Sequence, residues 1–479
     1  MTVRLSLLNA GQTEFTDTQL DELRAMFHGP LITPEDPGYD ESRVTQNGMF
    51  DRHPGLIVRC SGTADVIDAV RVAGERDLLV AVRGGGHGIA GHSVCDNALM
   101  IDLSAMRGVW TNPAERIVRV QGGATWADVD REAQTFGLAV PGGVVSTTGV
   151  AGLTLGGGLG WLHRKYGLTC DNLIAAEVVT ADGSLVRASG TENEELFWAL
   201  RGGGGNFGVV AAFEFQAHPV GPVVMFGCAM YAAADAEEIL PAWRDWTAGL
   251  PDEVTSRVLF WTMPATPLLP QEVHNRDVFI VAAVHAGSPD DGASAVRPIG
   301  RFGTPLADLS GPASFRDVQR NLDFMFPKGQ LRSYWKSVTV NELGDDVLDV
   351  LLRRGLNRPH PRTLVHAPQM GGAVRRMGPA DTAQGDRGAA YIVSFDGNWT
   401  DAVDNAASMN WVRDAFNEVQ RLPSAAGTYL NFSGDRDLDS ATRQAAFGRN
   451  LDRLVRTKRD FDPENRFRLN NNIQPASPS

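Results

Sequence analysis

Three glycine clusters fall between positions 84 and 208: GGGHGIAG at 84–91, GVAGLTLGGGLG at 149–160 and GGGGNFG at 202–208. Glycine gives up more backbone freedom on folding than any other residue. A chain that concentrates it must therefore need bare backbone at those places. Successive glycines can turn consecutive N–H groups toward one point, and such a nest holds phosphate without any side-chain charge. Tight turns would account for one cluster. Three in one region point to a large, phosphate-bearing cofactor.

Two of the clusters match G-x-G-x-x-G, through Gly86/Gly88/Gly91 and Gly203/Gly205/Gly208. The dinucleotide fold needs a strand, then the glycines, then a helix, with an acidic residue about 20 positions on. The first cluster follows the strand-like LLVAV but leads into another strand-like segment. The third follows a helical ENEELFWALRGG and precedes the strand-like FGVVAAFEFQAHP, which reverses the order. Both facts disfavour a nicotinamide-binding Rossmann domain. No G-x-x-x-x-G-K-[ST] occurs, which disfavours a P-loop ATPase.

The chain of 479 residues is long enough for two to three domains. Strand, helix and strand follow one another in LIVRC, the apolar-periodic stretch opened by Asp65, and LLVAV. NALMIDLS and RIVRVQGGA read as strands. TWADVDREAQTFG reads as a helix capped by Thr125 and stopped at Gly137. AAEVVTADGSLVRAS reads as a hairpin on its D-G turn. From about 221 the texture changes. Strand-like VVMFGCAMY, DVFIVAAVH and AAYIVSFDG alternate with helical VNELGDDVLDVLLRRG and NAASMNWVRDAFNEVQRL, the pattern of a sheet covered by helices. One further helix is expected over SATRQAAFGRNLDRLVRTKRDF. The net charge of −13 and the lack of a dense Lys/Arg run argue against nucleic-acid or anionic-membrane partners. No apolar run is long enough to span a membrane. The N-terminal stretch lacks the pattern of a secretory signal. Cys60, Cys95, Cys170 and Cys228 are scattered with no CxxC, which fits a reducing cytoplasm and neither disulfides nor a metal site.

RGGGHGIAGH, GGVVSTTGVAGLTLGGGLGWLHRKYGLTCDNL, VVTADG and LFWALRGGGGNFGVV occur in that order. Together they resemble the FAD domain of the vanillyl-alcohol-oxidase (PCMH-type) superfamily. YLNF at 429–432, AAFGRNLDRLV and FDPENRFRLNNNI resemble its berberine-bridge-enzyme-like branch. YWKS at 334–337 and MGGAVRRM at 370–377 match only in outline. The resemblance implies an α+β fold of two domains. An FAD domain over 1–220 would precede a substrate domain over 221–440 with an antiparallel sheet, and 441–479 would return to the FAD domain.

The resemblance also assigns roles. It implies cofactor contacts at Arg83, Gly84, Gly85, Gly86, His87, Gly88, Gly91 and His92 in the first run. In the second it implies Val145, Thr147, Thr148, Gly149, Gly152 and Gly157, in the third Gly208 and Val210, and near the C-terminus Asn431 and Asn471. His87 would carry the 8α-methyl of the flavin on a ring nitrogen, with His92 as a hydrogen-bonding neighbour. Many relatives add a bond from a cysteine in G-x-C-P-x-V-G. Here that run is Gly143-Val144-Val145-Ser146-Thr147-Thr148-Gly149, and Val145 cannot form the bond. Cys170 lies too far along the chain to replace it. One covalent link, through His87, is therefore expected.

Oxidation of an alcohol or amine by FAD needs a base for the substrate proton. The resemblance implies Tyr429 of Y-x-N as that base, with Asn431 orienting it. A tyrosine near its ordinary pKa of about 10 would need nearby charge to act so. Tyr391 and Asp396 on YIVSFD are second candidates for substrate binding or for assisting the base, and His366 carries no assignment. Thr148 stands where a small side chain admits O₂ in the family, which favours an oxidase giving hydrogen peroxide. The expected substrate is a carbohydrate or secondary metabolite. A dehydrogenase with another acceptor, or a flavin-binding protein without turnover, remains the alternative.

Overall fold

The structure is a computed structural model that describes residues 2–385 and 387–476. LIVR, VAVR and LMID are short, apolar, β-branched runs. They form the strands Leu56–Arg59, Val80–Arg83 and Leu99–Asp102, which pair in parallel with Leu99–Asp102 in the middle. The helix Thr63–Glu75 makes the crossover and buries Val66, Ala69, Val70 and Ala73 against this sheet. A second, antiparallel sheet runs Leu185–Ser189, Leu173–Val179, Val209–Gln216, Ile117–Gln121, Val109–Asn112. The expected hairpin joins its first two strands. Thr125 caps the helix Trp126–Ala133 through a reciprocal box with Asp128, and Gly137 ends the following turn at φ +65°.

The largest sheet is antiparallel and carries Val223–Ala232, Asp277–His285, Val254–Thr262, Leu364–Pro368, Tyr391–Trp399 and Arg332–Val340 side by side. Side chains alternate across a strand, so each strand feeds two different layers. Val258, Phe260, Val365, Val393 and Phe395 enter a core with the helices Ala236–Ala248, Asp345–Leu356 and Asn405–Gln420. Leu259, Trp261 and Leu364 point to the opposite face, toward Trp161 and Leu162. That inner face looks at the glycine-rich half of the chain. Among the described residues no helix is long and apolar enough to cross a membrane.

The C-terminal helix is not continuous. Ser440–Phe447 and Leu451–Phe461 are separated by a short turn, because Gly448 adopts φ +52°. The second helix returns to the first half of the chain. Arg453 pairs with Glu195 and lies over the Trp198 ring at 3.9 Å. Lys458 is fully buried and donates to Asp462 (2.6 Å) and to the carbonyls of Asn206 (2.8 Å) and Phe467 (3.0 Å). Arg466 reaches the Ala73 carbonyl at 2.8 Å, and Ile473 N–H donates to Asn206 at 2.9 Å.

Lys458 thus ties the last segment to the third glycine cluster. Lys458→Met leaves Asp462 buried without its cation. Breaking a buried pair on one side costs about 3–5 kcal/mol. Denaturant unfolding should show a loss of that size. A loss under about 1 kcal/mol would mean that the pair does not hold the segment.

Candidate active site

The two ends of the first glycine run are fixed differently. Arg83 Nε and Nη2 donate to the two carboxylate oxygens of Asp102 at 3.0 and 2.6 Å. This fork-to-fork pair locks the strand end from which the glycines leave. Gly86 then takes φ +67°, in the left-handed region where a side chain is strained. Gly85 touches the start of the second cluster: a Cβ on Gly85 would lie 2.5 Å from Gly149 Cα, and one on Gly149 would lie 2.4 Å from Gly85 N. Only bare backbone permits that approach.

Between these turns and the inner face of the large sheet lies a cavity of about 350 Å³. One wall holds Gly84, Gly85, Gly86, His87 and Gly88, followed by Val145, Thr148, Gly149 and Gly152. Gly208 and Val210 come from the third cluster, and Asn470 and Asn471 from the returning C-terminus. The opposite wall holds Arg257, Leu259, His366 and Asp396 from the sheet, with Tyr429 and Asn431 from the loop before the final helices. The walls fit an extended cofactor. A Cβ on Gly88, Gly152 or Gly205 would meet nothing within 4 Å, so these glycines leave open space at the cavity surface.

His87 stands on the glycine wall with Nε2 buried and without a hydrogen-bond partner. Burial pushes its pKa down to about 4. The ring is a neutral imidazole at physiological pH, the form that can act as a nucleophile. His92 also reaches the cavity, and its Nε2 donates to the Arg436 carbonyl at 2.7 Å. Val145 lines the cavity where a cysteine would be needed for a second link. Cys170 is fully buried beside Leu159 and Tyr429, off the cavity wall, and burial raises its thiol pKa. It is a packing residue there.

Tyr429 is buried. Its hydroxyl accepts from Gly158 N–H at 2.9 Å and from Asn431 Nδ2 at 3.1 Å. Both bonds favour the phenolate, but burial outweighs them and raises the pKa. Among the described residues no cation bonds the hydroxyl, and the nearby Arg387 is committed to Asp171 at 2.8 Å through two bonds. The charge that a tyrosine base requires is therefore missing. On the sheet wall, Asp396 accepts from Ser394 Oγ at 2.5 Å and from His366 Nε2 at 3.0 Å.

Five residues expected at the site do not line the cavity. Tyr391 is five positions from Asp396 on one strand, an odd separation, so it faces the other side of the sheet. There it packs with Trp243 and bonds Thr247 Oγ1 at 2.6 Å. Arg83 is spent on Asp102. Gly91 packs on Phe50 and Gly157 on Gln384, and Thr147 points outward. Conversely, Arg257 and His366 line the cavity without having been singled out. The signal was present for His366. In LVHAP it shares a face with Leu364, two positions earlier, and Ser394, Asp396 and Asn398 alternate in the same way on the neighbouring strand.

Comparison with known proteins agrees with this geometry. Residues 54–189 match the FAD binding domain family, and residues 428–474 match the berberine and berberine-like family. The chain is 30% identical over 455 residues to the uncharacterized FAD-linked oxidoreductase YgaK of Bacillus subtilis, covering 93% of this chain and 97% of that one. The chain belongs to the berberine-bridge-like FAD-linked oxidoreductases. Its fold resembles that of 6-hydroxy-D-nicotine oxidase from Arthrobacter nicotinovorans, with TM-score 0.82, 25% identity, and 94% and 98% of the two chains covered. Physcomitrella patens BBE-like 1 shares the fold at TM-score 0.84 and 21% identity, with 96% and 100% covered. The two family matches of this FAD-dependent oxidoreductase lie on either side of residues 190–427, and both supply cavity walls.

A matched pair of substitutions separates cradle from scaffold. Gly152→Ala lies inside the helix Val150–Leu155 and should stabilise the apoprotein by about 0.5–1 kcal/mol. It should nevertheless lower FAD content, because the methyl enters the cavity. Gly85→Ala should prevent folding through its clash with Gly149. Full FAD loading of Gly152→Ala would mean that this surface does not touch the cofactor.

Proposed function

We propose that the protein is an oxidase that removes a hydride from an alcohol or amine carbon of a small metabolite, with O₂ as the final acceptor and hydrogen peroxide as the second product. Bound FAD would supply the hydride acceptor and the route by which the electron pair reaches O₂. The observation that carries this reading is the placing of His87, with an unpartnered ring nitrogen, on one wall of the cavity and the Asp396–His366 pair on the other. Residues 1–220 and 441–479 hold the cofactor in this reading, and 221–440 receive the substrate.

His87 attaches the flavin, and it alone does so, since Val145 has no thiol and Cys170 is away from the wall. The small Thr148 leaves room for O₂ beside the ring. The substrate hydroxyl or amine proton passes to the Asp396–His366 pair. Ser394 holds one carboxylate oxygen and His366 the other, so the pair is oriented before substrate arrives. Tyr429 keeps its own proton. Asn431 and Gly158 fix its oxygen, and its O–H is left to donate to the substrate oxygen or nitrogen. This assignment shifts the base role from Tyr429, which the Y-x-N resemblance favours, to Asp396 and His366. The reason is the missing cation at the phenol.

The test begins with an anaerobic screen of alcohols, phenols and amines for bleaching of the flavin band. Stopped-flow reduction with a hit then compares variants. Asp396→Asn should slow reduction by about 10²–10⁴-fold, the usual worth of a positioned base. Tyr429→Phe should slow it by about tenfold or less, the effect of one hydrogen bond. Reoxidation by O₂ should be unchanged in both. The opposite order of effects would return the base role to Tyr429. A panel that yields no bleaching and no peroxide would favour a flavin protein without turnover.

A further inference from the structure

Among the described residues five arginines are buried: Arg83, Arg164, Arg257, Arg387 and Arg466. Four are bonded. Arg83 holds Asp102, Arg387 holds Asp171, Arg164 donates to the Met370 carbonyl and Arg466 to that of Ala73. The guanidinium of Arg257, a residue only 3% exposed, makes no hydrogen bond or ion pair to any other described residue, and its Nε is buried without a partner. A buried charge is costly unless paired, so this exception calls for a partner from outside the chain.

We infer that Arg257 is the anchor for a carboxylate on the substrate, and that the substrate is an apolar ring acid and not a neutral carbohydrate. This rests on the oxidase reading above and narrows its substrate. The guanidinium lies over the Trp161 ring at 4.6 Å. That cation–π contact occupies no hydrogen-bond donor, and a guanidinium's paired donors match a carboxylate bidentately. Arg257 lines the cavity from the sheet side. It lies beside Leu259, the residue paired in register with His366, so the anchor and the proposed base share one wall. Asp396, the acid whose charge acts on Arg257, is already engaged by Ser394 and His366 and does not bond Arg257. Burial lowers the arginine pKa to about 10, which leaves it charged at neutral pH. Besides the polar Asp396, His366 and Tyr429, the cavity lining includes Leu259, Leu322, Met325, Phe326, Leu364 and Phe432. These six offer a sugar's hydroxyls no partner, whereas they pack against a hydrocarbon ring.

The test titrates the flavin-loaded protein with phenylacetate and with its neutral isostere phenylacetamide. Binding is read by the shift of the flavin band and by calorimetry. The wild type should bind the carboxylate at least about tenfold more tightly, the lower end of a hydrogen bond to a charged group. Arg257→Met should abolish that preference, and Arg257→Lys should keep part of it. Thermal stability should be held or raised in Arg257→Met, since it removes an unpaired buried charge. Equal affinities of the wild type for the two probes would overturn the inference, and this comparison needs no variant. A preference that survives in Arg257→Met would overturn it too, as would a flavin band altered in that variant before any probe is added. Flavin content is measured first. A yellow protein without carboxylate preference overturns this inference alone. A colourless protein overturns the flavin reading, while calorimetry still reports on the carboxylate.

Discussion

The backbone of Gly85 lies against that of Gly149 so closely that a single methyl on either would sit about 2.5 Å from the other, and the cavity exists because those two turns can touch. One turn leaves the parallel sheet at an arginine locked to its neighbouring strand. The other opens the helix Val150–Leu155. Their contact brings His87 and the second cluster onto one surface. The third cluster joins through Asn206, which is held by the returning C-terminal segment. The glycine wall is therefore built largely from backbone, and among its side chains His87 carries a buried, unpartnered ring nitrogen.

The opposite wall follows from strand alternation. Every second residue of the large sheet goes to the helices, and the residues between them go to the cavity. The same parity that buries Val393 and Phe395 in a hydrocarbon core brings Asp396, with Ser394 bonded to it, to the cavity side of the sheet. It also delivers Arg257, Leu259 and His366. Acid, imidazole and unpaired guanidinium reach one cavity with no motif in the sequence, because the spacing that unites them is set by strand register between distant segments.

That difference explains what was legible. The glycine clusters, His87 and Y-x-N are local, and short quotations from the chain were enough to locate them and to imply the fold. The strands and the Thr125 cap were equally local, since apolar runs and capping residues act over a few positions. The stretch SATRQAAFGRNLDRLVRTKRDF reads as one helix, and the break comes from Gly448, whose φ of +52° lies outside the helical region. Tyr391 was grouped with Asp396 by proximity in sequence, although five positions along a strand mean opposite faces. Arg257 is different. Its significance depends on the partner its guanidinium lacks after folding, and no single segment records that.

The central claim is that His87, neutral and unpartnered on the glycine wall, is the one residue that fastens FAD to the chain. Peptide mapping by mass spectrometry of the proteolysed protein tests it most directly. The expected result is a single flavin-bearing peptide, which spans RGGGHGIAGH and is modified at His87. A flavin that separates fully on denaturation, or one carried by the peptide containing Cys170, would contradict it.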